Sequence, residues 1–298
     1  MDRKIVLIDG NSIINRAFFG VPPLTNEEGL HTNAIYGFLN IMFRIVEAEQ
    51  PDHLAVAFDV HAPTFRHEIY KDYKGTRKGM PDELKEQVPV LKELLKAMDI
   101  KMLEKAGLEA DDILGTLARR AEKEGMSVTV VSGDRDLLQI ATDHVKVCIP
   151  KTRGGKTVVQ DYHAEQVIEE YGLTPAQIIE LKALMGDTAD NIPGVPKVGE
   201  KTATQLILQF GQFHVVDGGE PLLGGMVFGV FAQVALLAGF FHFVYYTGTF
   251  HLFEECVAFD HLVVSFFSTG CFSHDLKLEF FCGAVTECVL HCRIFSII

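Results

Sequence analysis

Nine carboxylates gather in five short clusters within the first 190 residues, and each cluster sits where an apolar run ends or a helix begins. They are Asp9 in IVLIDGNS, Asp59 in LAVAFD, Glu109, Asp111 and Asp112 in LEADDILG, Asp134 and Asp136 in VVSGDRDL, and Asp187 and Asp190 in LMGDTADN. A single aspartate after a strand only needs to cap the next helix. Repetition changes the reading, because carboxyl ends of parallel strands share one edge of a sheet, where open α/β folds place ligands. If the clusters converge, two carboxylates about 8 Å apart repel by roughly 2 kcal/mol at an effective dielectric of about 20. Hard cations relieve such repulsion, and an all-oxygen set selects Mg²⁺ or Mn²⁺ over zinc. The expected centre is therefore a site for two or more divalent ions suited to phosphodiester chemistry.

The runs IVLI, LAVAF and VTVV, over residues 3–8, 53–58 and 127–131, are too short for helices and rich in β-branched residues, so they predict buried strands. Helical spacing is expected over 33–49, 81–97 (with Pro89 as a kink), 109–124 (with Gly125 as C-cap) and 161–186, where Thr174-Pro175 starts a helix. Alternation of the two predicts an α/β fold with a mostly parallel central sheet and flanking helices. From residue 187 the chain reads as helix, Gly/Pro turn, helix. Asp134 and Asp136 alternate on what is expected to be extended chain, and Asp187 and Asp190 share a face if a helical turn forms.

Net charge of −13 argues at first against a nucleic-acid partner. Residues 1–211, however, hold 25 Lys and Arg against 32 Asp and Glu, so without the nine candidate ligands that segment is mildly basic. From Arg66 to Lys78 five basic residues meet two acids, interleaved with aromatics. Beside a metal site, Lys74 and Arg77 become phosphate clamps, while Tyr70 and Tyr73 can stack on an unpaired base. The turn Gly194-Val195-Pro196-Lys197-Val198-Gly199, followed by Lys201 and Thr202, leaves backbone N–H groups at a helix start to meet a duplex phosphate.

Taken in order, LIDGNS, PTFRHEIYKDYKGTR, LEADDILGTLA, SGDRDLLQ and GDTADNIPGVPKVGEKTA closely resemble the 5′-nuclease family found at the N-terminus of bacterial DNA polymerase I, kin to the flap endonucleases. The resemblance covers about residues 1–211 and implies a metal-dependent 5′-3′ exonuclease and 5′-flap endonuclease. Its substrates would be DNA carrying flaps, nicks or RNA primers, in replication and repair. It implies that the nine carboxylates hold the ions, and that a helical arch at about 62–97, with Arg66 and Lys78 among its basic residues, admits a single strand. It also implies that the 194–199 hairpin grips the downstream duplex with help from K⁺. On this reading residues 1–186 are the nuclease core and 187–211 the helix–hairpin–helix. Lys197 departs from the family, which often has glycine there. A non-catalytic DNA-binding module and a metal-dependent ribonuclease of related fold stay open as alternatives.

Past Gly211 the composition shifts. The last 87 residues hold 2 of 27 Lys and Arg but 15 of 22 Phe and 5 of 6 Cys, and 221–253 carry no charge. An aberrant, out-of-frame or misjoined sequence is the first expectation for 212–298, ahead of a membrane-associating segment and a packed domain. Cys288 and Cys292 have loose metal-like spacing without a second pair. The N-terminus lacks the basic-then-apolar layout of a secretory signal, which makes the cytoplasm the expected location.

Overall fold

The apolar run after Arg3 becomes β1 (Lys4–Asp9), with Val6, Leu7 and Ile8 almost fully buried. Burial on both faces is what a parallel strand covered by helices needs, and it explains the lack of apolar–polar alternation. The computed structural model describes residues 3–153 and 156–210. The whole of the 212–298 expectation, Cys288 and Cys292 included, lies outside the described residues. Those up to Thr204 belong to one compact unit, and Gln205–Phe210 open a second.

After β1 come α1 (Gly10–Gly20), α2 (Asn33–Glu49), β2 (His53–Ala57), α3 (Phe65–Ile69), α4 (Asp82–Lys85), α5 (Gln87–Ala97) and β3 (Lys101–Leu103). Then follow α6 (Ala110–Lys123), β4 (Ser127–Val131), a 3-10 helix (Arg135–Ile140), β5 (Val145–Arg153) and β6 (Lys156–Tyr162). The chain continues through α7 (Ala164–Tyr171), α8 (Pro175–Met185), the two-residue strands β7 (Gly186–Asp187) and β8 (Ile192–Pro193), and α9 (Glu200–Phe210). The main sheet runs β3-β2-β1-β4-β5-β6, parallel except for the last pair. The expected mostly parallel α/β sheet is thus observed. The chain winds outward from β1 through β2 to β3 and then returns to the far side of β1 for β4 and β5. That reversal makes the carboxyl ends of β1 and β4 a topological switch point, the place where open sheets of this kind bind ligands.

Several local expectations give way to backbone chemistry. The 81–97 helix divides at Glu86 into α4 and α5, because Pro89 has no N–H for the carbonyl four residues earlier, that of Lys85. The 161–186 stretch starts with the end of β6 and is interrupted at Gly172, which caps α7 in the left-handed region at φ 68°. Asp134 is extended, but Asp136 lies in the 3-10 helix rather than on a strand. No helical turn forms over Asp187–Asp190. Instead β7 and β8 pair antiparallel around the turn. Gly186 and Gly194 permit the crossing there, since a Cβ on Gly186 would stand 2.3 Å from the Gly194 nitrogen and one on Gly194 2.2 Å from the Met185 carbonyl carbon. Among the described residues no helix is long and apolar enough to cross a membrane.

Candidate active site

Asp9 ends β1 and does two jobs. Its Oδ1 accepts the Ser12 N–H at 2.9 Å, capping α1, and its Oδ2 accepts the Ser132 hydroxyl at 2.8 Å from the end of β4. Ser12 Oγ in turn accepts the Gly133 N–H at 2.8 Å, so the switch point is stitched from both sides. Burial raises the Asp9 carboxyl to about 7; the two donors oppose this, and the charges of Asp59 and Asp134 add to it. Asp59, one strand over, is exposed and accepts the Ala110 N–H at 2.7 Å, which caps α6 from outside the helix. Asp134 caps the 3-10 helix through the Asp136 N–H at 2.9 Å. The capping contacts thus fall on the candidate ligands themselves.

Glu109, Asp111 and Asp112 stand at the start of α6, where the helix dipole favours negative charge. Burial raises Asp111 well above the ordinary carboxylate range. Asp112 is different. Both of its oxygens lie 2.8 Å from the Arg66 guanidinium, and its Oδ2 also accepts the Glu109 N–H at 3.0 Å. Arg66 and Asp112 side chains are each about 2% exposed. The expectation of Arg66 as a DNA contact is therefore corrected: its guanidinium is buried against α6 and cannot meet a phosphate. Asp112, expected as a metal ligand, has both oxygens engaged by that guanidinium.

The segment Asp72–Arg77 docks onto the turn between β7 and β8. The Lys74 N–H reaches the Asp190 carbonyl at 2.8 Å and Asn191 Nδ2 reaches the Asp72 carbonyl at 2.8 Å. Lys74 adopts φ +56°, a left-handed conformation costing about 1 kcal/mol or more. It brings Nζ to 2.8 Å from Glu109 Oε1, while Arg77 pairs with Asp190. The Tyr73 ring is buried with Ile192, against Tyr70 and Ile179. Its hydroxyl lies 3.0 Å from both Glu109 Oε2 and Asp190 Oδ2 and donates to one at a time. Burial, then repulsion from those carboxylates, raises the phenol and keeps it a donor. Tyr73 cannot stack on a base from this position, and Tyr70 is half-buried.

The fourth group joins Asp136 and Asp187 through a residue the sequence did not single out, Lys182, whose Nζ lies 2.8 Å and 2.7 Å from them. Burial raises Asp136 to about 6, Asp134 adds repulsion, and Lys182 only partly offsets them. Burial works upward on Asp187 too, yet Lys182 and the N–H groups of Ala189 and Asp190 outweigh it and lower that carboxyl. A lone lysine on a helix gives no sequence signal. Ser132, directly after a strand in VVSGDRD, gives a faint one.

Beyond the carboxylates, Lys78, Lys197, Gly199 and Lys201 are exposed and Thr202 is half-buried. Lys197 takes φ +66°, a left-handed conformation that suits glycine better than lysine. Two hairpin members serve packing instead: the Val195 N–H is given to the Leu184 carbonyl at 2.8 Å, and Gly194 is at the tight crossing.

The donor set around the switch point is all oxygen, and its mutual repulsion and raised carboxyls fit hard divalent ions. Among the described residues, no three His, Cys, Asp or Glu side chains are drawn together as ligands of one ion. Lys74, Arg77 and Lys182 take up Glu109, Asp190, Asp136 and Asp187, so an ion would have to displace them.

The description "5′-3′ exonuclease, N-terminal resolvase-like domain" matches residues 4–172, and "5′-3′ exonuclease, C-terminal SAM fold" matches 173–216. DNA polymerase I of Bacillus caldotenax is 56% identical over 211 residues, covering 71% of this chain and 24% of that protein. The Bacillus subtilis (strain 168) polymerase is 56% identical over 208 residues, covering 70% and 23%. The chain thus spans about a quarter of the length of these curated relatives. The solved T5 5′-exonuclease with divalent metal ions (zinc) superimposes with a TM-score of 0.64 at 19% identity, over 99% of this chain and 90% of that one. A bacteriophage T5 flap endonuclease in a pseudo-enzyme-product complex with DNA and metal ions gives 0.58 at 21%, over 96% and 100%. At these identities the likeness is one of fold.

Proposed function

The chain belongs to the 5′-3′ exonuclease family, and from that premise we propose that it hydrolyses phosphodiester bonds near the 5′ end of DNA, taking flaps, nicks and RNA primers as substrates. What supports the reading is a run of pairwise contacts: Asp9 feels the charges of Asp59 and Asp134, Lys182 joins Asp136 to Asp187, and Lys74 and Arg77 pair with Glu109 and Asp190. Asp9, Asp59, Glu109, Asp111, Asp134, Asp136, Asp187 and Asp190 are the side chains proposed to hold two or more Mg²⁺ or Mn²⁺ ions. Asp112 is proposed to hold the arch through Arg66. Bound ions would supply Lewis-acid charge to the scissile phosphate and leaving oxygen.

The remaining steps belong to the chain itself. Lys74 and Arg77 exchange Glu109 and Asp190 for the phosphate, where their donors meet charge that develops in the transition state. The buried Tyr73 hydroxyl, the N–H of Ala110 and the Ser132 hydroxyl fix the orientation of Glu109, Asp190, Asp59 and Asp9. Lys197, Gly199, Lys201 and Thr202 would hold the duplex backbone, with K⁺ as a further aid at that hairpin. Cleavage of a labelled 5′-flap duplex in Mg²⁺, and none in EDTA, is the expected result; metal-independent cleavage would refute it.

A further inference from the structure

Lys182 lies on α8, outside every segment assigned so far to chemistry, yet its ammonium sits between carboxylates of two different elements. Nζ is 2.8 Å from Asp136 Oδ1 and 2.7 Å from Asp187 Oδ2. Asp136 comes from the 3-10 helix after β4 and Asp187 from β7, so the contact ties the sheet edge to the helical part of the chain. None of the three is a free surface charge: Lys182 is 22% exposed, Asp136 18% and Asp187 15%. α8 packs directly on the 3-10 helix, which fixes the lysine stem beside both oxygens.

We infer that Lys182 is the built-in counter-ion of this half of the site, a positioning residue that holds Asp136 and Asp187 toward one point and competes with a divalent ion for the same two oxygens. The inference rests on the metal-site reading above. Two carboxylates aimed at one point repel unless a cation stands between them. An ammonium suits that place because it is a compact charge on a flexible four-carbon stem, able to withdraw when a doubly charged ion takes both oxygens. An incoming ion must first displace an ammonium that is hydrogen-bonded to Asp187 and ion-paired with Asp136. Lys182 thus keeps the carboxylate pair at ligand spacing beforehand, and in exchange weakens the binding of the ion that replaces it. Lys74 and Arg77 stand in a comparable place at Glu109 and Asp190, but they come from the 72–77 segment, whereas Lys182 belongs to α8.

Mn²⁺ binding to the full chain, measured by calorimetric titration and by the electron paramagnetic resonance of unbound Mn²⁺, compares wild type with Lys182→Met and Lys182→Gln. Melting temperatures in EDTA accompany each titration. Both variants are expected to bind Mn²⁺ about tenfold more tightly, in the class of site that Asp187→Asn removes, and to melt lower in EDTA. Lys182→Arg is expected to return both values toward wild type. A variant that melts lower but binds Mn²⁺ no more tightly makes Lys182 a structural strut and overturns the inference. Lys182→Gln keeps a donor for one carboxylate and carries the test if Lys182→Met does not fold. Unchanged affinity in variants of a wild type that does bind Mn²⁺ removes this inference alone. A wild type that binds none removes the metal-site reading as well.

Discussion

Arg66 and Asp112 form a bidentate pair, Nη1 and Nη2 each 2.8 Å from a different carboxylate oxygen, with both side chains about 2% exposed. The pair joins α3 to the first turn of α6, and Asp112 Oδ2 also accepts the Glu109 N–H, so one residue sets the place of both α3 and a proposed ligand. Breaking a buried pair from one side leaves an uncompensated charge and costs about 3–5 kcal/mol. Asp112→Asn and Arg66→Met are each expected to lower stability by that order in EDTA, measured by urea unfolding. Asp112→Asn with full stability and lost metal binding would return Asp112 to the ligand set.

Asp59→Asn offers the contrasting case. Asp59 is exposed and, among the described residues, keeps only the Ala110 N–H, which an amide oxygen can still accept. The variant should fold with unchanged stability while cleavage of a 5′-flap duplex in Mg²⁺ falls by about 10²-fold or more. Wild-type turnover in Asp59→Asn would remove it from the ion site.

The carboxyls fix the direction of a pH effect. Asp9 rises from 3.8 to about 7 and Asp136 to about 6. Between pH 4 and 7 the folded chain therefore holds protons that the unfolded chain releases, so stability without metal falls as pH rises through that window and levels off above it. Melting temperature in EDTA should be higher at pH 5 than at pH 7.5, by the equivalent of roughly 2–4 kcal/mol. Asp9→Asn should flatten most of that slope. A slope that survives the substitution would place its source elsewhere. Divalent ions compete with the same protons, so their apparent affinity should climb over the same range.

Lys74→Ala and Arg77→Ala should slow single-turnover cleavage more than they weaken duplex binding, because both are assigned to the reacting phosphate. Lys201→Ala, exposed at the start of α9, should do the reverse and reduce the salt slope of binding by about one. Equal losses of affinity alone in all three would show that the division of roles is wrong.

Much of this was legible in the chain because the central strands are buried on both faces and announce themselves as unbroken runs such as VTVV. β5 was not, since KVCIPKTR mixes charges with Pro150. β5 pairs with β4 only as far as Cys148, so Pro150, in register with Val159 of β6, lies where β5 has a single neighbour. The carboxylates were legible as clusters. Their cations were not: Lys182 and Arg66 look like solvated charges in sequence, and only the packing of α8 and of α3 turns them inward. Val195 was misread for a related reason, since a turn motif does not reveal that its N–H is already given to Leu184.

The docking of Asp72–Arg77 onto the turn around Asp190 also sets an order of birth. Tyr73 and Asp190 are 117 residues apart in sequence, so closing that loop costs roughly 4 kcal/mol of chain entropy before any contact repays it. During synthesis β1 to β5 can pair before Asp187, Asp190 and Ile192 have left the ribosome, and until then residues 72–77 have no seat. A half-made chain would carry those strands before residues 72–77 had anything to dock on.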